Sequence, residues 1–167
     1  MIETLPDLET HPAEQVIAWG LGTFGDRVAL GTSFQAEGMA ILDMAVRINS
    51  RLRVFTIDTG RLPQETYDLM AEVHRRYGIG IETVLPDSHE VEAMASRYGP
   101  NLFYEGVPQR MLCCEIRKVR PLDRKLATLE AWITGLRRSQ NDTRAEVKKV
   151  ETDHAHGGIV KLNPLAD

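Results

Sequence analysis

The chain has 167 residues, 43% of them hydrophobic, a net charge of -4 and two cysteines, a length and composition that suit one folded core. No apolar run reaches membrane-spanning length, and two adjacent cysteines give no support to a secreted disulfide scaffold. Met1 to Thr10 is acidic and lacks a basic segment followed by an apolar one, so no leader is expected and the expected location is cytoplasmic.

In chain order, short apolar runs alternate with amphipathic stretches, and no repeat or low-complexity segment interrupts them. Pro12 suits a first helical turn, Val16, Ile17, Trp19 and Leu21 follow, and Gly22 and Gly25 are expected to end that helix. Val28 to Gly31 reads as a short buried strand leading into the loop Thr32-Ser33-Phe34-Gln35-Ala36-Glu37-Gly38. Met39, Ile41, Leu42, Ala45, Val46 and Ile48 then give a helix with a wide apolar face. Arg53 to Ile57 is a second strand, ending at Asp58-Thr59-Gly60. A helix from Pro63 runs through Tyr67, Met70, Val73 and Tyr77 and stops at Gly78. Ile79 to Leu85 is the third strand, and Asp87 with Glu90 predicts a capping box for the helix of Val91 to Tyr98, which Gly99-Pro100 terminates. Residues 101–112 read as loop, and a helix then carries Cys113 and Cys114. Pro121 either ends that helix or opens the next, which holds Leu122, Leu126 and Leu129. Ala131 to Gly135 is a fourth strand, the loop Leu136 to Ala145 follows, and Ile159 to Leu162 is the last strand before Asn163-Pro164-Leu165.

Strands separated by helices predict an α/β fold on a parallel sheet, in which ligands bind at the carboxyl ends of the strands. Ser33, Asp58-Thr59-Gly60 and Arg137-Arg138 each follow directly on a strand and are expected on one face. The loop at Thr32 offers backbone N–H groups and a helix dipole to an anion, and Thr32, Ser33 and Gln35 add side-chain donors. It matches neither the dinucleotide fingerprint nor the Walker A pattern. Asp58-Thr59-Gly60 reads equally well as a strand end with a helix cap. Arg137, Arg138 and Arg144 can give forked hydrogen bonds to phosphate or sulfate from several directions.

Charge is uneven: residues 101–167 carry 12 basic and 9 acidic side chains, against 8 and 15 in residues 1–100. Solvated helix faces account for most such runs. No aromatic residues are interleaved to stack bases, so a compact anion such as a nucleotide fits better than a nucleic acid. His154 and His156 are spaced to share one face of a strand, but Gly157-Gly158 favours an exposed turn over a metal site. His11, His74 and His89 show no partner in the sequence, and Trp19, Trp132 and the methionines read as core.

Cys113 and Cys114 leave three readings open: small core residues, a strained vicinal disulfide, or half of a metal or cluster site. On a helix Arg117 lies four residues from Cys113 and Lys118 four from Cys114, so each thiol is expected to have a cation on its own face. Nearby cations favour the thiolate, the form that ligates metal and attacks electrophiles.

Taken together, six segments in order resemble the phosphoadenylyl-sulfate and adenylyl-sulfate reductase family over nearly the whole chain. They are Gly31-Thr32-Ser33-Phe34-Gln35; Asp58-Thr59-Gly60 with Pro63-Gln64-Glu65-Thr66-Tyr67; Arg97-Tyr98-Gly99; Cys113-Cys114 with Arg117-Lys118-Val119-Arg120-Pro121-Leu122; Gly135-Leu136-Arg137-Arg138-Ser139-Gln140 with Thr143-Arg144-Ala145; and Lys161-Leu162-Asn163-Pro164-Leu165. The resemblance implies a single domain over 1–167 with an adenine-nucleotide α-hydrolase-like fold, a three-layer α/β/α sandwich. It implies that Thr32, Ser33, Phe34 and Gln35, with Arg137, Arg138 and Arg144, hold the phosphosulfate, and that Asp58, Thr59 and Gly60 lie near the adenosine. Cys113-Cys114 implies the branch that binds a [4Fe-4S] cluster and prefers adenylyl sulfate, with Lys118 linking cluster and substrate electrostatically.

The family reaction begins with attack of a cysteine thiolate on the substrate sulfur, AMP leaves, and thioredoxin releases sulfite from the resulting thiosulfonate. Two departures stand out. A [4Fe-4S] cluster takes four thiolates, and the family's second pair, a Cys-x-x-Cys, is not in this sequence. The nucleophile, in a Glu-Cys-Gly-x-His segment, is not there either. The expectation is the substrate-binding portion of an adenylyl-sulfate reductase without its nucleophile. A non-catalytic adenine-nucleotide module is the alternative. An ATP-pyrophosphatase or sulfurtransferase relative ranks last, since Gly31 to Ala36 does not reproduce Ser-Gly-Gly-x-Asp-Ser. Oligomeric state, including a homo-oligomer, is left open.

Overall fold

The strands are only three or four residues long, and their alternating side chains divide the helices into two layers. The computed structural model describes residues 4–167; residues 1–3, part of the acidic opening stretch read for a leader, and the side chain of Thr143 lie outside that description. Among the described residues six strands form one sheet: β1 (Val28–Gly31), β2 (Val54–Ile57), β3 (Ile81–Val84), β4 (Ala131–Ile133), β5 (Val150–Asp153) and β6 (Ile159–Leu162). Their order is β3-β2-β1-β4-β6-β5, and all neighbours run parallel except β5 with β6. The α-helices are α1 (Ala13–Phe24), α2 (Ala36–Ile48), α3 (Gln64–Tyr77), α4 (Ser88–Tyr98), α5 (Val107–Cys114) and α6 (Arg120–Leu126).

Val28 and Leu30 face one side of the sheet, where they join Val54, Ile133 and Leu162 in a core with Val16 and Ile17 of α1, Ile41 and Leu42 of α2 and Val73 of α3. Ala29 and Phe55 face the other side and pack with Leu126 of α6 and Leu129. Burying a side chain of this size is worth about 1.5–3 kcal/mol, so the first face, which holds most of them, contributes most of the apolar stabilisation. A third cluster joins Met94 of α4 to Leu102, Cys113 and Ile116.

Strand order places the ligand end of the sheet. From β1 the chain moves outward to β2 and β3, whereas β4 lies on the other side of β1 and is followed outward by β6. The connections after β1 and β4 therefore diverge and open a crevice at their carboxyl ends, the position where open α/β sheets take ligands.

Several sequence expectations need correction. The first helix runs through Gly22 and ends at Gly25, whose N–H bonds the Leu21 carbonyl. Residues 101–112 are not plain loop: a short turn spans Leu102–Tyr104, and α5 starts at Val107, with Pro108 in the first turn where its missing N–H is harmless. Pro121 opens α6, the second of the two readings, though the helical path is not broken ahead of it. Between α5 and α6, Glu115–Val119 forms a π turn in which the Arg120 N–H bonds the Glu115 carbonyl. In α geometry the proline ring would collide with the carbonyl four residues back, and the wider turn just ahead of it relieves that. β5 was not expected, and it makes the sheet mixed at one edge: Val150 to Asp153 has one apolar residue, and its place comes from pairing with β6.

Candidate functional site

The loop after β1 is shaped by its own side chains. Thr32 Oγ1 accepts the Phe34 N–H at 2.9 Å, a local bond that turns the chain as the strand ends. Phe34 takes φ 60, the left-handed region, and its buried ring joins the core, so apolar burial offsets the backbone strain. Gly38 lets the first turn of α2 come close: a Cβ there would stand 2.2 Å from Thr32 Oγ1. Gln35 precedes α2 without a side-chain cap, so the N-terminal N–H groups of a thirteen-residue helix open toward this loop.

A cavity of about 290 Å³ lies here, between the ends of β1 and β4. Thr32, Ser33, Gln35 and Gly38 line one side, and Gly135, Leu136, Gln140 and Arg144 from beyond β4 line the other. Lys118 enters from the π turn. Ion pairs among the described residues take up Arg120, Arg137 and Arg138 and leave Lys118 and Arg144 out. Two unneutralised cations beside a helix N-terminus and hydroxyl donors make a cradle for a compact anion.

The other arginines divide. Arg137 pairs with Glu37 at 2.7 Å, and its Nε is buried with no hydrogen-bond partner among the described residues. The Glu37 carboxyl is held below its ordinary value, first by its own backbone N–H and then, against burial, by Arg137 and Gln140. Gln140 Oε1 accepts from Arg144 and from the Arg137 backbone N–H, so Gln140 orients the pair. Arg138 does not line the cavity: its Nε donates to the Val147 carbonyl at 2.7 Å and its guanidinium pairs with Glu9. Sequence reasoning does not single out Glu37 or Gln140 as site residues; polar positions flanking a candidate anion loop were the available signal.

The end of β2 lies apart from the cavity. Asp58 is buried, accepts the Gly60 N–H at 2.8 Å and receives the Tyr67 hydroxyl, while burial and then Asp58 push that hydroxyl above its ordinary pKa. Arg117 donates to the Thr59 carbonyl at 2.7 Å. The expected pairing of each thiol with its own cation is therefore replaced: Arg117 serves the Thr59 turn and Lys118 the cavity. Both cysteines are free, Cys113 buried in the third cluster and Cys114 exposed. Among the described residues no group of three or more His, Cys, Asp or Glu side chains could hold a metal. His154 is exposed, and His156 bonds Asp153 at 2.9 Å with its ring edge-on to Trp132. His74, without a partner in the sequence, bonds the Ile79 carbonyl at 2.8 Å.

This is a three-layer α/β/α fold of the adenine-nucleotide α-hydrolase-like class. The chain belongs to the phosphoadenosine phosphosulfate reductase domain family, whose model matches residues 27–167. It is 46% identical over 142 residues to an adenosine 5'-phosphosulfate reductase of Allochromatium vinosum, covering 85% of this chain and 55% of that one. It is 42% identical to the protein of that name in Burkholderia cepacia, covering 88% and 58%, and 41% identical to the chloroplastic 5'-adenylylsulfate reductase 3 of Arabidopsis thaliana, covering 96% and 36%. The chain thus spans a little over half the length of the bacterial relatives. The crystal structure of phosphoadenylyl-sulfate reductase from Candida auris in a phosphate complex superposes with TM-score 0.76 at 28% identity, covering 95% of this chain and 76% of that one. Candida glabrata FMN adenylyltransferase in complex with ATP, at 12% identity and TM-score 0.56, covering 98% and 54%, shares the fold alone.

Proposed function

We propose that this chain is the substrate-binding portion of an adenylyl-sulfate reductase, which reduces adenylyl sulfate to sulfite and AMP in sulfate assimilation. The observation that carries this reading is the convergence of the Thr32 loop, Lys118 and Arg144 on one cavity, with neither cation in an ion pair among the described residues. The relatives' names supply the substrate, and the phosphate complex of the Candida auris neighbour supports an anion in this fold.

In this reading Thr32, Ser33 and Gln35 donate to the phosphosulfate, Lys118 and Arg144 carry its charge, and Phe34 anchors the loop. Asp58, Thr59 and Gly60 hold the adenosine side, with Arg117 fixing their turn. Arg137 acts through its pair with Glu37, which lines the cavity, and Arg138 acts through the loop it braces. A cysteine thiolate outside these residues attacks the substrate sulfur; an S–S bond forms, the S–O bond to AMP breaks, and AMP leaves with the electron pair. The cations spread the negative charge of attacking and leaving groups. The thioredoxin dithiol then reduces the thiosulfonate and sulfite departs. Thioredoxin and a cytoplasmic location belong to the same proposal; among the described residues no helix is long and apolar enough to cross a membrane.

Cys113 and Cys114 fit half of a four-thiolate set, and the described residues do not complete it. We therefore assign them as two ligands of a [4Fe-4S] cluster whose other two lie outside these residues. Iron and sulfide analysis after anaerobic reconstitution checks this: the chain alone is expected to hold no stoichiometric cluster, and a stable four-iron cluster on two thiols would refute the ligand count. The substrate reading is tested by calorimetric titration with adenylyl sulfate and AMP. Binding without sulfite release is expected; no binding of either at millimolar concentration sinks it.

A further inference from the structure

The segment carrying Gln140 and Arg144 leaves the sheet after β4 and returns at β5, and both of its ends meet one carboxylate. Glu9 Oε1 accepts the Lys149 backbone N–H at 2.7 Å, and Glu9 Oε2 accepts from the Arg138 guanidinium. We propose that Glu9 is a positioning residue, stapling segment 138–149 at its base and so holding Arg144 and Gln140 at the cavity. The consequence for binding rests on the substrate reading above.

The base is tied more than once. Arg138 Nε donates to the Val147 carbonyl at 2.7 Å, joining the same two ends within the loop. The Lys149 side chain, on a residue only 2% exposed, donates to the His11 carbonyl at 2.8 Å and to Asp167 at 2.7 Å. Asn163 Nδ2 donates to the Lys148 carbonyl at 2.8 Å. Residues 9–11 thus cross the base of the loop and accept bonds from both of its ends. Within the loop body the backbone bonds among the described residues include local turns, such as Arg144 N–H to the Asn141 carbonyl and Val147 N–H to the Arg144 carbonyl, both 3.0 Å. A segment held by local turns opens at low free energy unless its ends are fixed. Glu9 bonds both ends with one side chain. It lies before residue 27, where the family model begins, so the family match does not reach it.

The test uses the full chain with Glu9→Ala and Glu9→Gln, read by amide exchange and by calorimetric affinity for adenylyl sulfate. Glu9→Ala is expected to speed exchange over residues 139–147 by about tenfold while β1 and β4 keep wild-type protection. Affinity for adenylyl sulfate is expected to fall by about five- to twentyfold, and by no further factor when Arg144→Ala is already present. Glu9→Gln, which keeps an acceptor for the Lys149 N–H, is expected to fall between. Unchanged loop exchange overturns the proposal, as does a rise spread evenly over the sheet or a loosened loop with wild-type affinity. Should the wild-type chain not bind adenylyl sulfate, the substrate reading falls, and the exchange data alone still decide whether Glu9 holds the loop.

Discussion

Two of the crevices that border the sheet differ in kind, and the larger of the two is the less suited to an anion. The crevice at the outer edge, about 870 Å³, lies beside β3 and α6; the cavity between β1 and β4 is about 290 Å³. At the edge two of the three lining cations share one carboxylate. Arg53 donates to Glu82 at 2.8 Å and to the Asp26 carbonyl at 2.7 Å, the buried Lys125 pairs with Glu82, and Arg124 donates to the Leu85 carbonyl at 2.6 Å. Between β1 and β4, Lys118 and Arg144 line the cavity and have no carboxylate partner among the described residues. Unspent charge, more than volume, separates a binding surface from a structural one.

Removing each site's lysine is expected to have opposite effects. Lys125→Ala removes a buried partner that also lies 5.5 Å from the Phe55 ring, and it is expected to cost about 2–3 kcal/mol, because Glu82 is left partly solvated. Urea denaturation measures that loss, and adenylyl sulfate affinity per folded molecule is expected to stay unchanged. Lys118→Ala or Arg144→Ala is expected to do the reverse, weakening adenylyl sulfate binding by about 10- to 100-fold in calorimetry. Stability is then expected to move by no more than about 0.5 kcal/mol.

Arg138→Ala lies between these cases. Its bonds to Val147 and Glu9 make it a brace, so a stability loss of about 1–2 kcal/mol is expected, with a smaller affinity loss than for Arg144→Ala. The smallest effect concerns acid. Burial pushes the Glu82 carboxyl up, but hydrogen bonds and charge from Lys125 and Arg53 outweigh it and hold it below its ordinary value. The stability it contributes is complete above the ordinary glutamate pKa and is lost as pH falls through the lower, folded value. Glu82→Gln is therefore expected to be less stable near neutrality, with the two stability curves converging in acid. Parallel curves would remove Glu82 from the edge cluster's balance.

The sheet's centre and the anion loop are legible in the sequence because local chemistry decides them. An apolar run ending in Gly31 and followed by Thr32, Ser33 and a helix specifies a strand and an open helix terminus. What the sequence hides is set by distant partners. Arg138 and Arg144 look alike until Glu9, 129 residues from Arg138, takes one of them out of the cavity. The strand β5 depends on the ladder of β6, and the π turn depends on Pro121 inside a helix that tertiary packing keeps continuous. Arg117 and Lys118 are both four residues from a cysteine, yet their side chains serve the Thr59 carbonyl and the cavity instead.

The most direct measurement is a crystal structure of the chain with adenylyl sulfate. The expected result places the sulfate between the Thr32 loop, Lys118 and Arg144. A ligand seated in the edge crevice beside Arg124 and Lys125, or a sulfate out of hydrogen-bond reach of both Lys118 and Arg144, would contradict the assignment.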